Sequence, residues 1–225
     1  MKRAAIVLVR PRNPRNIGAA ARVLSNFGFT DLRVVAPHPP VWAEARASAT
    51  DGAALLSETK VFAAMEEALA DRRFVWGTTC LKGRSPESGA ISLPAARISA
   101  ADAVVFGQEK RGLTAQDLAL CDGLLSVPTD PACPSMNLAQ SVAVVCYEIA
   151  RKPGKGPAPA PRIPYGELER LAEQAERALR RIGYRPSLTP QSRREKLRSL
   201  LRRRGVAVRE AGFLREVLRR LEDAS

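Results

Sequence analysis

The chain divides into two parts that differ in how their apolar residues are arranged. In the first part, short continuous apolar runs alternate with stretches in which apolar residues recur every three or four positions. A strand with one solvent-exposed face alternates apolar and polar residues. These runs are apolar throughout, so they predict strands that are buried on both faces. These runs lie at residues 4–9, 32–37, 73–79, 103–107 and 124–128.

The stretches with helical spacing surround these runs. They predict helices at residues 16–28, 61–72 and 114–121, and a fourth helix at 135–152 after the last run. Strands that alternate with helices are typical of a parallel sheet covered by helices on both faces. We therefore expect an α/β domain over residues 1–152.

A proline-rich segment separates this domain from the rest of the chain. Residues 151–164 contain five prolines, which break helices and favour extended backbone, so we expect a linker at 153–163. Beyond it, no strand-like run occurs, and Leu, Ala and Val recur at helical spacing. The pattern predicts two or three amphipathic helices, and hence a small all-helical domain at 164–225.

The net charge of the chain indicates a candidate binding partner. The 225 residues carry a formal net charge of +13, and residues 153–225 hold 18 basic and 9 acidic residues, which accounts for +9 of it. Such a field attracts polyanions, and nucleic acid is the usual one. The run at 193–204 has six arginines and one lysine, and we expect Glu195 alone to oppose them and phosphates to bind them. A merely basic soluble protein, with a solvated helical hairpin and no ligand, is the alternative.

The cysteines and the single histidine argue against several chemistries. No C-x-x-C pairing occurs among Cys80, Cys121, Cys133 and Cys146, and His38 is the only histidine, so we expect no metal and no catalytic Ser-His-Asp or Cys-His set. Lone cysteines in a cytosolic chain are typically small core residues. The N-terminal apolar run is too short for a secretion signal or a membrane span, and no other stretch is long enough, so we expect a cytoplasmic protein.

Two connections carry more polar and glycine residues than an ordinary loop needs. In the stretch NPRNIGAAAR, Asn16 can cap a helix, and Gly18 lets another backbone approach closely, whereas Arg22 alone fits an ordinary surface charge. In FGQEKRGL, the apolar run 103–107 ends in Gly107, and Glu109 follows two residues later. Taken alone, this second stretch is equally consistent with a plain turn whose glycines adopt positive φ.

A third stretch, PSMNL, lies at the start of the helix predicted at 135–152, the last one of the α/β domain. Ser135 is a suitable N-cap, and Asn137 adds a polar group beside the free N–H groups of the first turn. No phosphate-binding GxxxxGK[ST] is present, and no G-x-G-x-x-G follows the first strand. The missing glycine fingerprint argues against a dinucleotide-dependent oxidoreductase.

Together, N-x-G-x-x-x-R, F-G-x-E-x-x-G-L and S-x-N-L, in this order, resemble the SPOUT-class RNA 2′-O-ribose methyltransferases. Over residues 4 to about 151, the chain most resembles the TrmJ-type tRNA (cytidine/uridine-2′-O-)-methyltransferases. The resemblance implies an α/β fold with a C-terminal trefoil knot, S-adenosyl-L-methionine as cofactor, and a homodimer. It also implies methylation of tRNA, at the ribose of anticodon-loop nucleotide 32 (C or U). Another tRNA site, ribosomal RNA, or a non-enzymatic RNA-binding protein on the same scaffold are the alternatives.

The resemblance also assigns catalytic residues. Arg22 would be the key residue, with Asn16, Glu109, Ser135 and Asn137 shaping the site around it. A guanidinium has a reference pKa of about 12.5–13.8 and is rarely neutral at pH 7. Whether Arg22 acts as a general base or as a fixed cation that stabilises the developing alkoxide therefore stays open.

Three loops would hold the cofactor in a cleft. Gly107 would be glycine because the chain must pass close to the cofactor there. The resemblance implies these cofactor-binding residues: Thr78, Thr79, Cys80, Gly107, Val127, Pro134, Ser135, Met136 and Leu138.

Overall fold

A computed structural model describes residues 3–38, 42–80, 89–151, 162–184 and 187–223. The chain divides into two compact units, Met1–Gly156 and Pro157–Ser225. The predicted linker at 153–163 lies outside the described residues except for its last two positions.

The first unit is built on a parallel sheet. Its described strands are β1 (Ala5–Val9), β2 (Leu32–Val35), β3 (Lys60–Phe62), β4 (Phe74–Thr78), β5 (Ala90–Ser92), β6 (Asp102–Phe106) and β7 (Gly123–Ser126). They form one sheet in the order β3-β2-β1-β6-β4-β7-β5, and every neighbouring pair is parallel. The parallel sheet expected from the sequence is therefore confirmed, and the five apolar runs correspond to β1, β2, β4, β6 and β7.

Helices connect these strands. Within the described residues of the first unit they are α1 (Pro14–Asn26), α2 (Trp42–Ala49), α3 (Ala53–Ser57), α4 (Met65–Leu69), α5 (Ala115–Ala119) and α6 (Leu138–Arg151). The helices predicted at 16–28, 114–121 and 135–152 correspond to α1, α5 and α6. Helices α2 and α3 were not predicted, because their alanine-rich sequence gives only a weak apolar period.

The helix predicted at 61–72 is wrong at its start. Residues 60–62 form β3, which pairs with β2, and only Met65–Leu69 is helical. The β-branched Val61 and the aromatic Phe62 fit an edge strand as well as a helix, and the sequence pattern does not separate the two.

The centre of the sheet is buried on both faces. In β1, Ile6 and Leu8 face one side and Val7 and Val9 face the other, and all four are at most 1% exposed. Ile6 and Leu8 belong to a core cluster that includes residues of α1, α2 and α6. Burial on both sides explains why the strand reads as an unbroken apolar run.

Glycines let α1 pack closely against its neighbours. A Cβ on Gly18 would lie 1.9 Å from the carbonyl oxygen of Ala45 in α2, and one on Gly52 would lie 2.6 Å from the Cα of Arg22. The close approach expected at Gly18 is therefore confirmed. These contacts leave α1 little freedom to shift, so the residues at its start hold a defined position.

The second unit is helical in its described residues. Its helices are α7 (Tyr165–Arg181), α8 (Pro190–Arg204) and α9 (Val208–Asp223). Their core contains Ile163, Leu168, Leu171, Val206 and Ala211. Three helices of this kind agree with the amphipathic pattern of the sequence.

Much of the basic run at 193–204 supports the second unit itself. Arg193 is buried, and its guanidinium donates to the carbonyl oxygens of Tyr184 and Leu188 at 3.3 and 2.8 Å. Arg202 is also buried and lies over the ring of Tyr165, 4.7 Å from its centroid. These two arginines help to hold the helices together.

Two further arginines of this run form ion pairs with α7. Arg194 lies 3.4 Å from Glu173, and Arg198 lies 3.6 Å from Glu169. The expectation that Glu195 alone opposes the run is therefore wrong, because carboxylates that are distant in sequence also face it. Residues 153–225 keep their +9 charge, but fewer of these arginines are free for a polyanion.

Candidate active site

A cleft of about 330 Å³ lies at the carboxyl ends of β6, β4 and β7. Neighbouring parallel strands end at the same edge of a sheet, so the loops that follow them meet there. Strand β1 is the other neighbour of β6, which brings the start of α1 beside the cleft. The volume is in the range of about 300–1,000 Å³ that is typical of small-molecule sites.

The structure brings the predicted cofactor residues together. The cleft is lined by all of them: Thr78, Thr79, Cys80, Gly107, Val127, Pro134, Ser135, Met136 and Leu138. Lys110, Arg111 and Thr129 also line it and were missed, because the motifs leave their positions variable. The binding roles of the nine residues stay a prediction.

Gly107 is required for a different reason from the one that the resemblance suggests. A Cβ on Gly107 would lie 2.1 Å from the carbonyl carbon of Gly112 and 2.2 Å from the amide nitrogen of Leu113. The chain's own loop, folded back beside the end of β6, already excludes a side chain there. Gly112 has a φ of 66°, so the positive φ considered for this loop occurs at Gly112.

A hydrogen-bonded network joins the three motifs. The Glu109 carboxylate accepts from the backbone N–H groups of Arg12 and Asn13, both at 3.1 Å, and from the side-chain amide of Asn16 at 2.9 Å. The amide of Asn137 in turn donates to the side-chain oxygen of Asn16 at 3.3 Å. Side chains from the loop after β6, the start of α1 and the start of α6 are thereby linked.

The helix caps differ from those expected. Helix α1 begins at Pro14, and Asn13 is its N-cap, with a side chain that accepts from the N–H of Arg15. Asn16 is instead buried in the first turn and serves the network. Helix α6 begins at Leu138, and the Asn137 side chain accepts from the N–H groups that follow it. Asn137 therefore caps α6, and the expected cap at Ser135 is wrong.

The environment of Glu109 favours its charged form. Burial acts to raise the pKa of this carboxyl, but the hydrogen bonds from Asn16 and from backbone N–H groups outweigh it and hold the pKa below its ordinary value. Glu109 is thus a carboxylate that accepts hydrogen bonds at neutral pH and organises the backbone around it. Its role in the network is structural.

Arg22 stands apart from this cleft. It is exposed on α1, six residues after Asn16, and is not among the residues that line the cleft. No hydrogen bond or ion pair between described residues involves its side chain. Ser135, by contrast, lines the cleft directly.

The cysteines do not all occupy the core. Cys146 is buried, and burial raises the pKa of its thiol, whereas Cys80 and Cys133 are exposed. The expectation of core cysteines is wrong for these two, because both lie in loops at the cleft edge of the sheet. Among the described residues, no group of His, Cys, Asp and Glu could hold a metal ion, and no helix is long and apolar enough to cross a membrane.

Comparison with known proteins identifies the family. The model of the SpoU rRNA methylase family matches residues 3–147, which is more than half of the chain. The chain belongs to the SpoU rRNA methylase family. The match spans the sheet and all three motifs of this SpoU methylase.

Similar proteins extend the match beyond this domain. The tRNA (cytidine/uridine/adenosine-2′-O-)-methyltransferase TrmJ of Pseudomonas aeruginosa is 30% identical, over 97% of this chain and 93% of its own length. The tRNA/rRNA methyltransferase LasT of Escherichia coli, itself uncharacterized, is 34% identical, over 77% of this chain and 79% of its own. The crystal structure of TrmJ from Z. mobilis is 35% identical with a TM-score of 0.80, and the match covers 97% of this chain and 99% of that one.

These findings confirm the resemblance to SPOUT-class, TrmJ-type enzymes. The SpoU methylase is an S-adenosyl-L-methionine-dependent RNA 2′-O-methyltransferase, and the non-enzymatic alternative is set aside. Its cleft suits this cofactor: Leu125, Val127 and Leu138 offer apolar surface to an adenine ring, and Thr129 and Ser135 offer hydroxyl groups to its polar parts. The AviRb methyltransferase of Streptomyces viridochromogenes, solved in complex with AdoMet, shares the fold at 21% identity and a TM-score of 0.57.

Glu109→Gln tests the network through the pH dependence of stability. The amide keeps the shape of the side chain but turns one acceptor into a donor that faces N–H groups, so we expect a loss of about 1–3 kcal/mol in unfolding free energy at pH 7. Because the folded pKa of Glu109 is lowered, its contribution is present above the ordinary pKa of 4.5 and is lost as the pH falls through the folded value. The measurement is thermal unfolding of both proteins from pH 7 to pH 3.

The difference between wild type and variant should therefore shrink as the pH falls. Glu58→Gln is the matched control, because it removes an exposed carboxylate at the amino ends of the strands, away from the cleft. A difference in melting temperature between Glu109→Gln and the wild type that stays constant from pH 7 to pH 3 would contradict the assignment.

Proposed function

We propose that this SpoU methylase transfers a methyl group to the ribose 2′-OH of nucleotide 32, a C or U, in the anticodon loop of tRNA. The observation that carries the proposal is the full-length similarity to TrmJ proteins, since the match to the Z. mobilis TrmJ structure covers 97% of this chain, helical unit included. A tRNA substrate also agrees with the net charge of +13 and with the cytoplasmic location expected from the sequence.

A second target nucleotide has its own support. A structure that gives insights into the 2-OH methylation of C/U34 on tRNA is 27% identical to this chain with a TM-score of 0.55. That match covers 94% of the solved chain but only 66% of this one, so a third of the present chain has no counterpart in it. We favour position 32 because TrmJ proteins match the whole chain. The name of LasT, which includes both tRNA and rRNA, keeps another tRNA site or rRNA as the alternative.

The mechanism follows from what the chain's own residues can do. S-adenosyl-L-methionine would supply, when bound, an electrophilic methyl group for transfer to the ribose 2′-oxygen, with S-adenosylhomocysteine and the proton of the 2′-OH as the other products. The loops after β4, β6 and β7 hold and orient the reactants in the cleft, and the Glu109 network fixes the start of α1 beside them. Arg22 is the key residue in this proposal, as a fixed cation that stabilises the developing alkoxide or as the group that receives its proton.

The position of Arg22 favours a homodimer, which is part of the proposal. Arg22 is exposed and lies outside the cleft of its own subunit, so it can serve the cleft of a second copy. Apolar surface is available nearby: Tyr147 of α6 is 53% exposed and packs edge-on against Phe27 at the end of α1, with ring centroids 6.0 Å apart. An exposed aromatic side chain beside a half-buried one gives apolar surface of the kind found where proteins associate.

The trefoil knot belongs to the same proposal. It is supported by the membership of the family. A knot in this part would hold the three cofactor loops in place without a metal or a disulfide.

The proposed target is tested by mapping 2′-O-methyl groups. Purified enzyme, S-adenosyl-L-methionine and unmodified tRNA transcripts should give a methyl group at nucleotide 32, and a transcript with a 2′-deoxyribose at 32 should give none, because its nucleophile is missing. A 2′-deoxyribose at 34 is the matched control and should have no effect. The reverse result would assign the enzyme to position 34.

Arg22→Ala should remove methyl transfer while leaving cofactor affinity within a few-fold of the wild type. Loss of a stabilising cation at a developing charge is expected to lower kcat by at least about 10²–10³-fold. Arg22→Lys should fail nearly as badly, because an ammonium lacks the planar fork of a guanidinium. Arg46→Ala, an exposed arginine on α2, is the control, and retained turnover in Arg22→Ala would refute the role of Arg22.

Mixed subunits extend this prediction to the dimer. Light scattering should show a dimer at micromolar concentration. A mixture of Arg22→Ala with a variant whose own cleft is filled by a large side chain, such as Ser135→Trp, should regain activity if Arg22 acts across the interface. An active monomer would contradict the proposed dimer.

Removal of residues 153–225 should weaken tRNA binding and leave cofactor binding nearly intact. Exposed cations of the second unit outside the ion pairs of the described residues include Arg170, Arg180, Lys196, Arg204 and Arg209, so this unit can still contact phosphates. Each phosphate contact adds about 0.7–0.9 to the slope of log affinity against log salt, so this slope should become shallower. Unchanged tRNA affinity and salt dependence in the shortened protein would show that the second unit has no part in binding.

A further inference from the structure

Three cationic residues belong to the two loops that meet at the edge of the cleft. Lys110 and Arg111 line it and are exposed. Arg12 belongs to the connection between β1 and α1, and its backbone N–H lies 3.1 Å from the Glu109 carboxylate, one residue from Lys110. The network that fixes Glu109 therefore brings the backbone of Arg12 close to the loop that carries Lys110 and Arg111.

The described residues leave the charges of these three cations without an ion pair. The nearest carboxylate, Glu109, already accepts from two backbone N–H groups and from Asn16. No ion pair between described residues involves Arg12, Lys110 or Arg111. Two arginines nearby in the sequence differ: Arg10, after β1, is paired with Asp117, and Arg15, in the first turn of α1, lies 3.6 Å from Glu44. A positive field thus remains at the cleft mouth.

The backbone presents Lys110 and Arg111 on a tight turn. The N–H of Gly112 donates to the carbonyl oxygen of Gln108 at 2.7 Å, and these two residues form an isolated antiparallel bridge. The turn is packed against Gly107, where no side chain fits. A loop that is fixed at both ends places its two cations with little loss of backbone freedom on binding.

We propose that Arg12, Lys110 and Arg111 bind a backbone phosphate of the RNA strand, next to the ribose that is methylated. A ribose whose 2′-OH reaches the cleft carries its own 3′-phosphate within one backbone unit, so a phosphodiester must pass the cleft mouth. Arginine suits this group because its planar fork matches two phosphate oxygens, and lysine adds a point charge. The inference rests on the proposed function and adds positioning residues to it.

A triple variant with Arg12→Gln, Lys110→Gln and Arg111→Gln tests the proposal. The slope of log tRNA affinity against log salt should become shallower by about 0.7–0.9, since the contact to one phosphate is lost. KM for tRNA should rise more than kcat falls, and the affinity for S-adenosyl-L-methionine, measured by calorimetry without RNA, should stay within a few-fold. A matched control, Arg46→Gln, Lys60→Gln and Arg73→Gln, removes the same charge from exposed positions outside the cleft lining and should change the slope less.

Two results would overturn the inference. Equal salt slopes in the two triple variants would mean that the three cations act only through overall charge. Loss of cofactor affinity in the first variant would mean that they hold the cofactor's carboxylate instead. The salt slopes are measured with an RNA that the wild type methylates, and the cofactor affinity is measured without RNA, so a failure here is distinct from an error in the proposed target nucleotide.

Discussion

The carboxylate of Glu109 is the point on which the candidate site depends. It satisfies backbone N–H groups just before α1, holds Asn16 in the first turn of that helix, and through Asn16 reaches Asn137 at the start of α6. The parallel pairing of β1 with β6 makes this possible, because it brings the loops after both strands to one edge of the sheet. Three segments that are distant in sequence are thereby fixed beside one cleft.

Close packing supplies the remaining constraint. Gly18 and Gly52 let α1 lie against backbone on two sides, and Gly107 lets the turn that follows Glu109 fold back on the end of β6. A side chain at Gly107 would push this turn away from the end of β6, and side chains at Gly18 or Gly52 would push α1 away from its neighbours. The glycines thus hold in place two of the segments that the polar network joins, the turn after β6 and α1.

The sequence predicted the sheet better than the details of the site. Apolar runs were sufficient for the central strands, whereas β3 and β5 have three residues each and lack buried runs. For α1, Pro14 at the first helical position was a usable signal that Asn13 is the cap. The pairing of Asn16 with Glu109 could not be predicted from spacing, because it depends on the register between two strands. The burial of Arg193 and Arg202 was equally hidden, since it depends on loop carbonyls and on Tyr165.

A double-mutant cycle between Glu109→Ala and Asn137→Ala tests the network most directly, because these two residues are linked through Asn16. Measured on the free energy of unfolding, the cycle should give a coupling of at least about 0.5 kcal/mol in the wild-type background. The same cycle in an Asn16→Ala background should give a coupling near zero, since the intermediate side chain is gone. Additive effects in the wild-type background, or an equal coupling in both backgrounds, would contradict the account.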